Sequence, residues 1–270
     1  MPEEFTYTTF GKIGPRVRRL GLSATYRPGR KTIYKALDAG INCFFGYGFD
    51  SHLTCVMRDV LRRDREDYVI ITGAYNLIVG HPDISRTLEK RLRQFGTDYI
   101  DVFLFLGVTK EKHFPGHLRE EFHRLRETGK VRAIGMSCHN RKFAGRLCAE
   151  GALDAIMMRY NAAHTGAEQD IFPHLKAHRP GVISYTATRW GRLLRRPRGW
   201  PVDGRIPTAG DCYRFVLSNP NVHVCLTAPR NAAQLKENLA ALEEGPLDDE
   251  DMSFMREFGK VVHHTRKWFM

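Results

Sequence analysis

The sequence predicts a single parallel (β/α)8 barrel, and three observations support this fold class. Eight short β-branched and apolar runs recur along the 270 residues, helical patterns lie between them, and roughly 250 residues is a usual length for such a barrel. We find no linker, internal repeat or second domain, so we expect one domain over residues 1–270. The predicted strands are Val17 to Leu22, Ile41 to Phe45, Tyr68 to Thr72, Ile100 to Leu106, Ala133 to Ser137, Ala155 to Arg159, Gly181 to Tyr185 and His223 to Leu226.

The clearest predicted helix runs from Ile84 to Phe95, because its apolar residues recur at intervals of three or four positions. Asp83 is a suitable N-cap for this helix, and Gly96 is a suitable end. The acidic residues that follow Asp248 predict one more helix near the C-terminus, since acidic side chains stabilise the first turn of a helix. We therefore expect the barrel to carry an extra C-terminal helix.

The composition excludes several classes of protein. Hydrophobic residues make up 42% of the chain and charged residues 27%, which is typical of a globular protein and argues against disorder. No apolar run approaches the roughly 18 to 20 residues of a membrane helix, and the start does not resemble a signal peptide. The six cysteines are scattered and lack metal-ligand spacing, so we expect reduced thiols and a cytoplasmic protein.

The chain is basic, with 42 Lys and Arg against 30 Asp and Glu and a net charge of +12. Acidic residues alternate with most of the bases, which is typical of solvated helix faces. The densest run, Arg192 to Arg198, contains no acid and is either a lid over phosphates or a solvated loop. No nucleic-acid-binding motif accompanies it, so the composition favours a phosphate-bearing small molecule as partner.

In a barrel of this kind the chemistry lies on the loops after the C-terminal strand ends. Asp50 is either an acid with a raised pKa in an apolar pocket or the N-cap of the helix that starts near Ser51, and capping preference favours the second. His164 and Glu168 are four residues apart, but no third metal ligand is evident, so we expect no metal site. The candidate catalytic residues are Tyr47, Asp50 and His139, and the candidate substrate-binding residues are His52, Arg159 and His164.

Several segments follow one another in the order found in a known family, and they cover nearly the whole chain. They are Leu20 to Leu22, Ala39 to Asn42, Gly96 to Asp101, Gly129 to Ser137, Tyr160 with Asn161, and Gln234 to Asn238. Through these segments the sequence resembles the aldo-keto reductases. The resemblance implies a (β/α)8 barrel that binds NADP(H) across its C-terminal face and reduces carbonyl compounds.

The resemblance also implies a catalytic tetrad of Asp, Tyr, Lys and His, in which the Tyr is the general acid. The corresponding positions here hold Phe45, Asp50, Gly73 and Leu106, so the sequence resembles a divergent member without the tetrad. A placed general acid is worth about 10² to 10⁴ in rate, and we do not expect ordinary aldehyde reduction by the family mechanism. Tyr47 is the best substitute proton donor, with Asp50 as the other candidate.

The cofactor side of the family pattern is better kept. By resemblance, Ser137 holds the nicotinamide amide and Tyr185 stacks on the nicotinamide ring, whereas Met157 replaces a glutamine that binds the carboxamide. A cationic side chain at a helix start suits a phosphate. The residues that would grip adenosine and its 2′-phosphate are Arg230, Gln234, Glu237 and Asn238. Without the resemblance, Arg230 is equally a surface cation and Tyr185 a core aromatic. Glu237 and Asn238 are then ordinary helix residues.

Three interpretations follow from the sequence. The first is a divergent oxidoreductase that binds NADP(H) and uses Tyr47 or Asp50 as a non-standard proton donor. The second is a non-redox enzyme on the same barrel, with acid/base chemistry by Asp50, His139 and Arg159 on an anionic small molecule. The third is a pseudoenzyme that senses the cofactor. The retained Arg230 loop favours the first and third, and the polar ends of the fifth and sixth predicted strands favour the second.

Overall fold

Two short antiparallel strands precede eight parallel strands in the computed structural model, which describes residues 3–75 and 83–265. The parallel strands follow one another around a closed barrel, and the last of them pairs with the first. The predicted barrel is therefore confirmed. The strands are β1 (Tyr7–Thr9), β2 (Arg16–Arg18), β3 (Leu20–Ser23), β4 (Cys43–Phe45), β5 (Val69–Tyr75), β6 (Ile100–Val108), β7 (Val131–Cys138), β8 (Ala155–Arg159), β9 (Gly181–Tyr185) and β10 (Val224–Thr227).

A helix follows each barrel strand, and these helices surround the barrel. After a short first helix the order is β3-α2, β4-α3 and so on to β10-α9, and α10 is the predicted extra C-terminal helix. The helices are α1 (Glu3–Thr6), α2 (Arg30–Asp38), α3 (Ser51–Leu61), α4 (Ile84–Phe95), α5 (Gly116–Glu127), α6 (Arg141–Ala149), α7 (Ala167–Asp170), α8 (Ala209–Leu217), α9 (Ala232–Glu244) and α10 (Asp249–His264).

The bounds of α4 agree with those predicted from its sequence. The Asp83 side chain accepts a hydrogen bond from the Arg86 N–H at 2.8 Å, and Gly96 ends the helix with a φ of 63°. Only a residue that tolerates the left-handed region fits such an end, which is why glycine is favoured there. The apolar positions of the helix are buried against the barrel. Capping and periodicity therefore act together to place α4.

The first predicted strand, Val17 to Leu22, is wrong in its bounds. The structure divides this run at Arg19 between β2, which pairs antiparallel with β1, and β3, which pairs parallel with β10. The Arg19 side chain is 7% exposed and donates to the carbonyl oxygens of Leu217 and Val222 at 2.7 and 2.8 Å. A continuous strand would pair with the same neighbouring strand throughout. Here the chain passes from the β1–β2 sheet into the barrel within two residues.

The N-terminal end of the barrel is closed by Phe10, which lies in the loop between β1 and β2 and is fully buried. A Cβ atom at Gly181 would lie 2.7 Å from the Phe10 ring, so glycine at the start of β9 makes room for this plug. The opposite, C-terminal end is the open one. Within the described ranges, no helix combines the length and the apolar character needed to cross a membrane.

Candidate active site

A cavity of about 340 Å³ opens at the C-terminal ends of the barrel strands. Its volume is at the lower end of the range of small-molecule sites. Residues from all eight barrel strands, and from the loops after β3 and β9, contribute to its walls. Aromatic rings make up much of the lining: Tyr26, Phe45, Tyr47, Tyr75, Tyr185, Trp190 and Tyr213.

The lining is poor in charge. Hydroxyl groups come from Ser23, Thr25, Ser137, Thr186 and Thr188, in addition to the tyrosines. Among the described residues that line the cavity, Arg159 is the one with a full charge at neutral pH, and none is a carboxylate. Phe45 and Leu106 also line the cavity, at positions where the family resemblance implies an Asp and a His.

Tyr47 lies in the loop after β4 and lines the cavity. Its ring stacks on Phe49 and on Tyr75, with centroids 5.2 and 5.7 Å apart, and it meets the edge of Phe45 at 4.7 Å. Burial raises the pKa of Tyr47, while hydrogen bonds from Tyr75 and Thr25 act in the opposite direction. The phenol is therefore protonated at neutral pH and held between aromatic neighbours.

Tyr47 lines the cavity with two other hydroxyl groups beside it. The hydroxyls of Tyr75 and Thr25 both act to lower the pKa of Tyr47, against the larger effect of burial. Tyr47 in turn raises the pKa of Tyr75, which burial raises first. A hydroxyl that donates to a phenol oxygen stabilises the phenolate, so the surroundings of Tyr47 suit a phenol that gives up its proton towards the cavity.

Asp50 does not line the cavity, although the sequence suggested it as a catalytic acid. It is 4% exposed, its Oδ1 accepts the Gly48 N–H at 2.9 Å, and its Oδ2 is buried without a hydrogen bond. It occupies the N-cap position of α3 but makes no capping hydrogen bond with its side chain, so the expected capping bond is wrong. Burial raises the pKa of Asp50, and the loop N–H groups and the Arg91 charge oppose that rise.

His139 and Arg159 both line the cavity. The His139 ring meets the edge of the Tyr185 ring, with ring centroids 6.5 Å apart. The backbone N–H of His139 donates to the Val108 carbonyl oxygen at 2.7 Å. Burial, with the Arg159 charge, lowers the pKa of His139, so its ring is neutral at pH 7. The guanidinium of Arg159 lies at the end of β8, and its Nη1 is buried without a hydrogen-bond partner.

His52 and His164, the other two predicted substrate-binding residues, are not part of the cavity lining. His52 is exposed on α3. His164 packs on the His263 ring at 5.2 Å, and burial with neighbouring cations lowers the pKa of His164 to about 3. Glu168 accepts hydrogen bonds from Tyr160 at 2.6 Å and from Arg256 at 2.9 Å instead of joining His164. No cluster of three or more metal-ligating side chains occurs in residues 3–75 or 83–265.

Ser137 and Tyr185 lie together on one wall of the cavity. Ser137 is the next-to-last residue of β7 and is 6% exposed, and its hydroxyl acts to lower the pKa of Tyr185 against the larger effect of burial. Burial raises the pKa of Tyr185 to about 12. Met157 lines the same wall and offers no polar group. This wall can therefore stack a planar ring and hold one polar substituent through Ser137.

The Arg230 loop lies at the rim of the cavity. The guanidinium carbon of Arg230 lies 5.2 Å from the ring centre of Tyr26, which lines the cavity. Arg230 is exposed, and its backbone N–H donates to Gln234 Oε1 at 2.8 Å. Gln234 therefore orders the start of α9 and leaves the Arg230 side chain facing solvent near the mouth.

Glu237 and Asn238 lie further along α9, and their environments differ. Glu237 is exposed. Asn238 is 6% exposed, and its side-chain NH₂ donates to Thr227 Oγ1 at 2.8 Å. Asn238 therefore fastens α9 to β10, while Glu237 faces outwards.

The candidate site residues chosen from the sequence omit several that line the cavity, among them Tyr26, Tyr75 and Trp190. Tyr75 could have been found, since β5 continues past the predicted end at Thr72 and its alternation turns Tyr75 inwards. Tyr26 and Trp190 lie in loops, and Trp190 has a φ of 53°. No periodic signal predicts such loop positions.

Comparisons with known proteins agree with this architecture. The chain is 25% identical over 216 residues to the aldo-keto reductase YhdN of Bacillus subtilis, a match that covers 69% of this chain and 63% of that relative's length. The holo form of the aldo-keto reductase AKR11C1 from Bacillus halodurans superposes with a TM-score of 0.77 at 20% identity, covering 94% of this chain and 96% of the other.

A second structure, an aldo/keto reductase from Klebsiella pneumoniae in complex with NADP and acetate, superposes with a TM-score of 0.75 at 20% identity. The superposition covers 98% of this chain and 99% of the Klebsiella chain. The model of the aldo/keto reductase family matches residues 30–199. Since that match spans more than half of the chain, the resemblance inferred from the sequence is confirmed, and the protein belongs to the aldo/keto reductase family.

Proposed function

We propose that the protein is an NADP(H)-dependent oxidoreductase that acts on a small carbonyl or alcohol and uses Tyr47 as its proton donor. The observation that carries the proposal is that Tyr47 lines the cavity with the hydroxyls of Tyr75 and Thr25 beside it, both of which act to lower its pKa against the effect of burial. Hydroxyls placed in this way can stabilise the Tyr47 oxygen once its proton has left.

The residues present fit NADP(H) at two points and lack a third. Arg230 is exposed at the rim and forms no ion pair with any described residue, so it is available to a phosphate. Tyr185 offers a ring on the cavity wall, and Ser137 offers a hydroxyl beside it. Met157 contributes no hydrogen bond, so Ser137 would hold the carboxamide without a glutamine. NADPH, when bound, supplies a hydride to the carbonyl carbon and becomes NADP⁺.

The protein supplies the proton that completes the reduction. Tyr47 donates its proton to the carbonyl oxygen as the alcohol forms, and the hydroxyls of Tyr75 and Thr25 stabilise the phenolate that remains. His139, neutral because burial lowers its pKa, can orient the carbonyl oxygen by donating one ring N–H. Solvent then returns a proton to Tyr47.

The barrel cannot easily hold the lysine that the family pattern implies. A Cβ atom at Gly73 would lie 2.0 Å from the Leu104 carbonyl oxygen and 3.1 Å from Leu106 Cγ. Any side chain there requires the neighbouring backbone to move. The apolar Phe45 and Leu106 are consistent with this arrangement. We infer that the hydroxyls of Tyr75 and Thr25 stabilise the Tyr47 phenolate in place of the lysine that the family pattern implies.

The first stage of the test is calorimetric titration with NADPH and NADH of the wild type, of Arg230→Ala and of the exposed control Arg124→Ala. We expect Arg230→Ala to weaken NADPH binding by roughly tenfold to a hundredfold, the worth of a charge-assisted hydrogen bond, and to leave NADH binding unchanged. The control should match the wild type. Absence of binding to either nucleotide would refute the oxidoreductase proposal.

The second stage follows NADPH oxidation with a panel of small carbonyl compounds. Tyr47→Phe should lower kcat by about 10² to 10⁴ and leave NADPH affinity unchanged, since only the proton is lost. NADPH binding without turnover of any carbonyl would instead support the cofactor-sensing interpretation.

The non-redox alternative, acid/base chemistry on an anion, is favoured by Arg159 in the cavity and opposed by Asp50, which lies outside the lining. The sole charged group among the described lining residues favours an anionic substrate for the oxidoreductase as well. All six cysteines are free, which supports the further proposal of a cytoplasmic location.

A further inference from the structure

Arg159 is a half-buried cation without an anion among the described residues. Its Nη1 has no hydrogen-bond partner, and the described chain forms no salt bridge with it. Burial lowers the pKa of Arg159, the Tyr185 phenol acts in the opposite direction, and Arg141, which pairs with Asp170 at 2.8 Å, lowers it further. A guanidinium that is partly removed from water and lies beside other cations is destabilised until an anion approaches it.

The neighbours of Arg159 show the same absence of negative charge. His139 and His164 both have lowered pKa values, first through burial and then through the Arg159 charge. Neutral imidazoles do not compensate a cation. The local field at this wall of the cavity is therefore positive, and within the described lining nothing neutralises it.

The remaining walls select the shape of a ligand. Tyr47 and Tyr75 lie parallel with an interplanar angle of 18°, and Tyr185 lies on the wall next to Arg159. Trp190 covers the same mouth from the β9 loop. Aromatic faces favour flat, conjugated ligands over branched aliphatic ones. A volume of about 340 Å³ leaves room for a small ring system.

The topology places the cation and the proton donor on opposite sides. The barrel order is β3-β4-β5-β6-β7-β8-β9-β10, so β4 and β8 are four strands apart in a ring of eight. Tyr47 follows β4, and Arg159 ends β8. A flat molecule that extends across the mouth can therefore present one end to each residue.

We propose that the cavity binds a flat aromatic monocarboxylate, whose carboxylate pairs with Arg159 and whose reactive carbonyl lies across the ring, facing Tyr47. The proposal names the substrate class of the oxidoreductase and so rests on the proposed function for its chemical step. The binding step is independent of it. A single cation with five N–H donors in a planar fork suits one carboxylate, and a second carboxylate would find no partner in the described lining.

The binding test uses benzoate and benzamide, which share their shape and differ in charge. Calorimetric titration of the wild type should show benzoate binding roughly tenfold to a hundredfold more tightly than benzamide. Arg159→Met should remove that preference, Arg159→Lys should retain part of it, and Arg124→Met, an exposed control on α5, should retain all of it. Thermal unfolding of each variant shows whether it is folded. If Arg159→Met does not fold, the comparison of Arg159→Lys with the wild type still tests the proposal.

Two results would overturn the carboxylate site: equal affinity of the wild type for benzoate and benzamide, or an unchanged preference in Arg159→Met. NADPH is titrated into the same variants. If Arg159→Met weakens NADPH binding as strongly as benzoate binding, Arg159 serves the cofactor and the proposal is wrong. If benzoate binds through Arg159 and NADPH does not bind at all, the carboxylate site stands and the oxidoreductase function falls.

The position of the reactive group is tested with para-formylbenzoate and ortho-formylbenzoate as substrates of NADPH oxidation. The para isomer places its carbonyl opposite the carboxylate, so it should have the higher kcat/KM by at least about tenfold, and Arg159→Met should reduce the difference. Equal rates for the two isomers would contradict the arrangement across the barrel.

Discussion

The hydroxyls of Tyr75 and Thr25 beside Tyr47 determine what this residue can do. A phenol that donated its own proton to Tyr75 would have none to offer a ligand. The proposed chemistry therefore requires Tyr75 to donate to Tyr47, and the lowering of the pKa of Tyr47 by Tyr75 agrees with that direction. Each hydroxyl that points at the Tyr47 oxygen gains strength when that oxygen becomes an anion.

Replacing Tyr75 with Phe should therefore slow reduction without removing the proton donor. The lost hydrogen bond stabilises a charged oxygen, so we expect kcat to fall by roughly tenfold to a hundredfold. The pKa of Tyr47 should rise, because one of the two bonds that lower it is gone. A donor must be protonated, so the alkaline decline of kcat should move to higher pH, as a pH–rate profile would show.

Tyr34→Phe is a matched control for that measurement, since Tyr34 is 42% exposed on α2. Its rate and pH profile should equal those of the wild type. If Tyr75→Phe behaved like the control, Tyr75 would serve only to pack in the aromatic stack, and its proposed stabilisation of the Tyr47 oxygen would be wrong.

Single residues also show how far a sequence determines a site. Tyr47, His139 and Arg159 are predictable as cavity residues because each lies at the C-terminal end of a strand or within two residues of it. Asp50 is not, because its orientation depends on Gly48, whose φ of 88° turns the loop back. A Cβ atom at Gly48 would lie 1.8 Å from Arg91 Nη1 of α4. The position of Asp50 thus depends on a helix more than 30 residues away in sequence.

At the scale of elements, periodicity predicts the barrel strands well and the β1–β2 hairpin poorly. The bounds of β8 and β9 match the prediction, since their apolar runs are buried on both faces. The hairpin has three residues in each strand and a partly exposed face, which is too short for an alternating pattern to be recognised. Its consequence, the Phe10 plug, is a tertiary contact that no local pattern encodes.

Protonation of His223, which lies directly before β10, makes the stability of the folded protein depend on pH. Its Nδ1 accepts the Val182 N–H at 3.0 Å, so protonation there would break the bond. Burial, with Arg19 and Arg179, lowers the pKa of His223 from 6.5 to about 4. Between these values the unfolded chain binds more protons than the folded one, so stability is full above pH 6.5 and falls as the pH falls towards 4.

The expected loss from His223 is at most about 3 kcal/mol in the free energy of unfolding. Urea unfolding of the wild type and of His223→Gln at pH 7 and pH 4.5 measures it, since Gln can accept the same N–H and does not titrate. The wild type should lose more stability than the variant on acidification. Equal losses would show that folding does not lower the pKa of His223.

Over the whole molecule the two ends of the barrel differ in how charge is compensated. At the N-terminal ends of the strands, Asp101 pairs with Arg65 at 2.8 Å, and Asp154 pairs with Lys12 at 2.8 Å. At the open end, Arg159 and Arg230 have no such carboxylate among the described residues. The loop that lines the cavity after β9 continues into Arg195 and Arg198, both exposed. Part of the excess of +12 therefore lies where a ligand enters.

This distribution predicts how salt should affect the capture of the nucleotide. Screening shortens the reach of a charge from about 10 Å at 0.1 M to about 3 Å at 1 M salt. The association rate of NADPH in stopped-flow fluorescence should therefore fall by roughly tenfold between low and high salt. NADH lacks the 2′-phosphate and should lose less, which makes it the matched control. Identical salt dependence for the two nucleotides would mean that the 2′-phosphate never meets the Arg230 rim, whereas rates insensitive to salt would mean that the basic loop serves solubility and not capture.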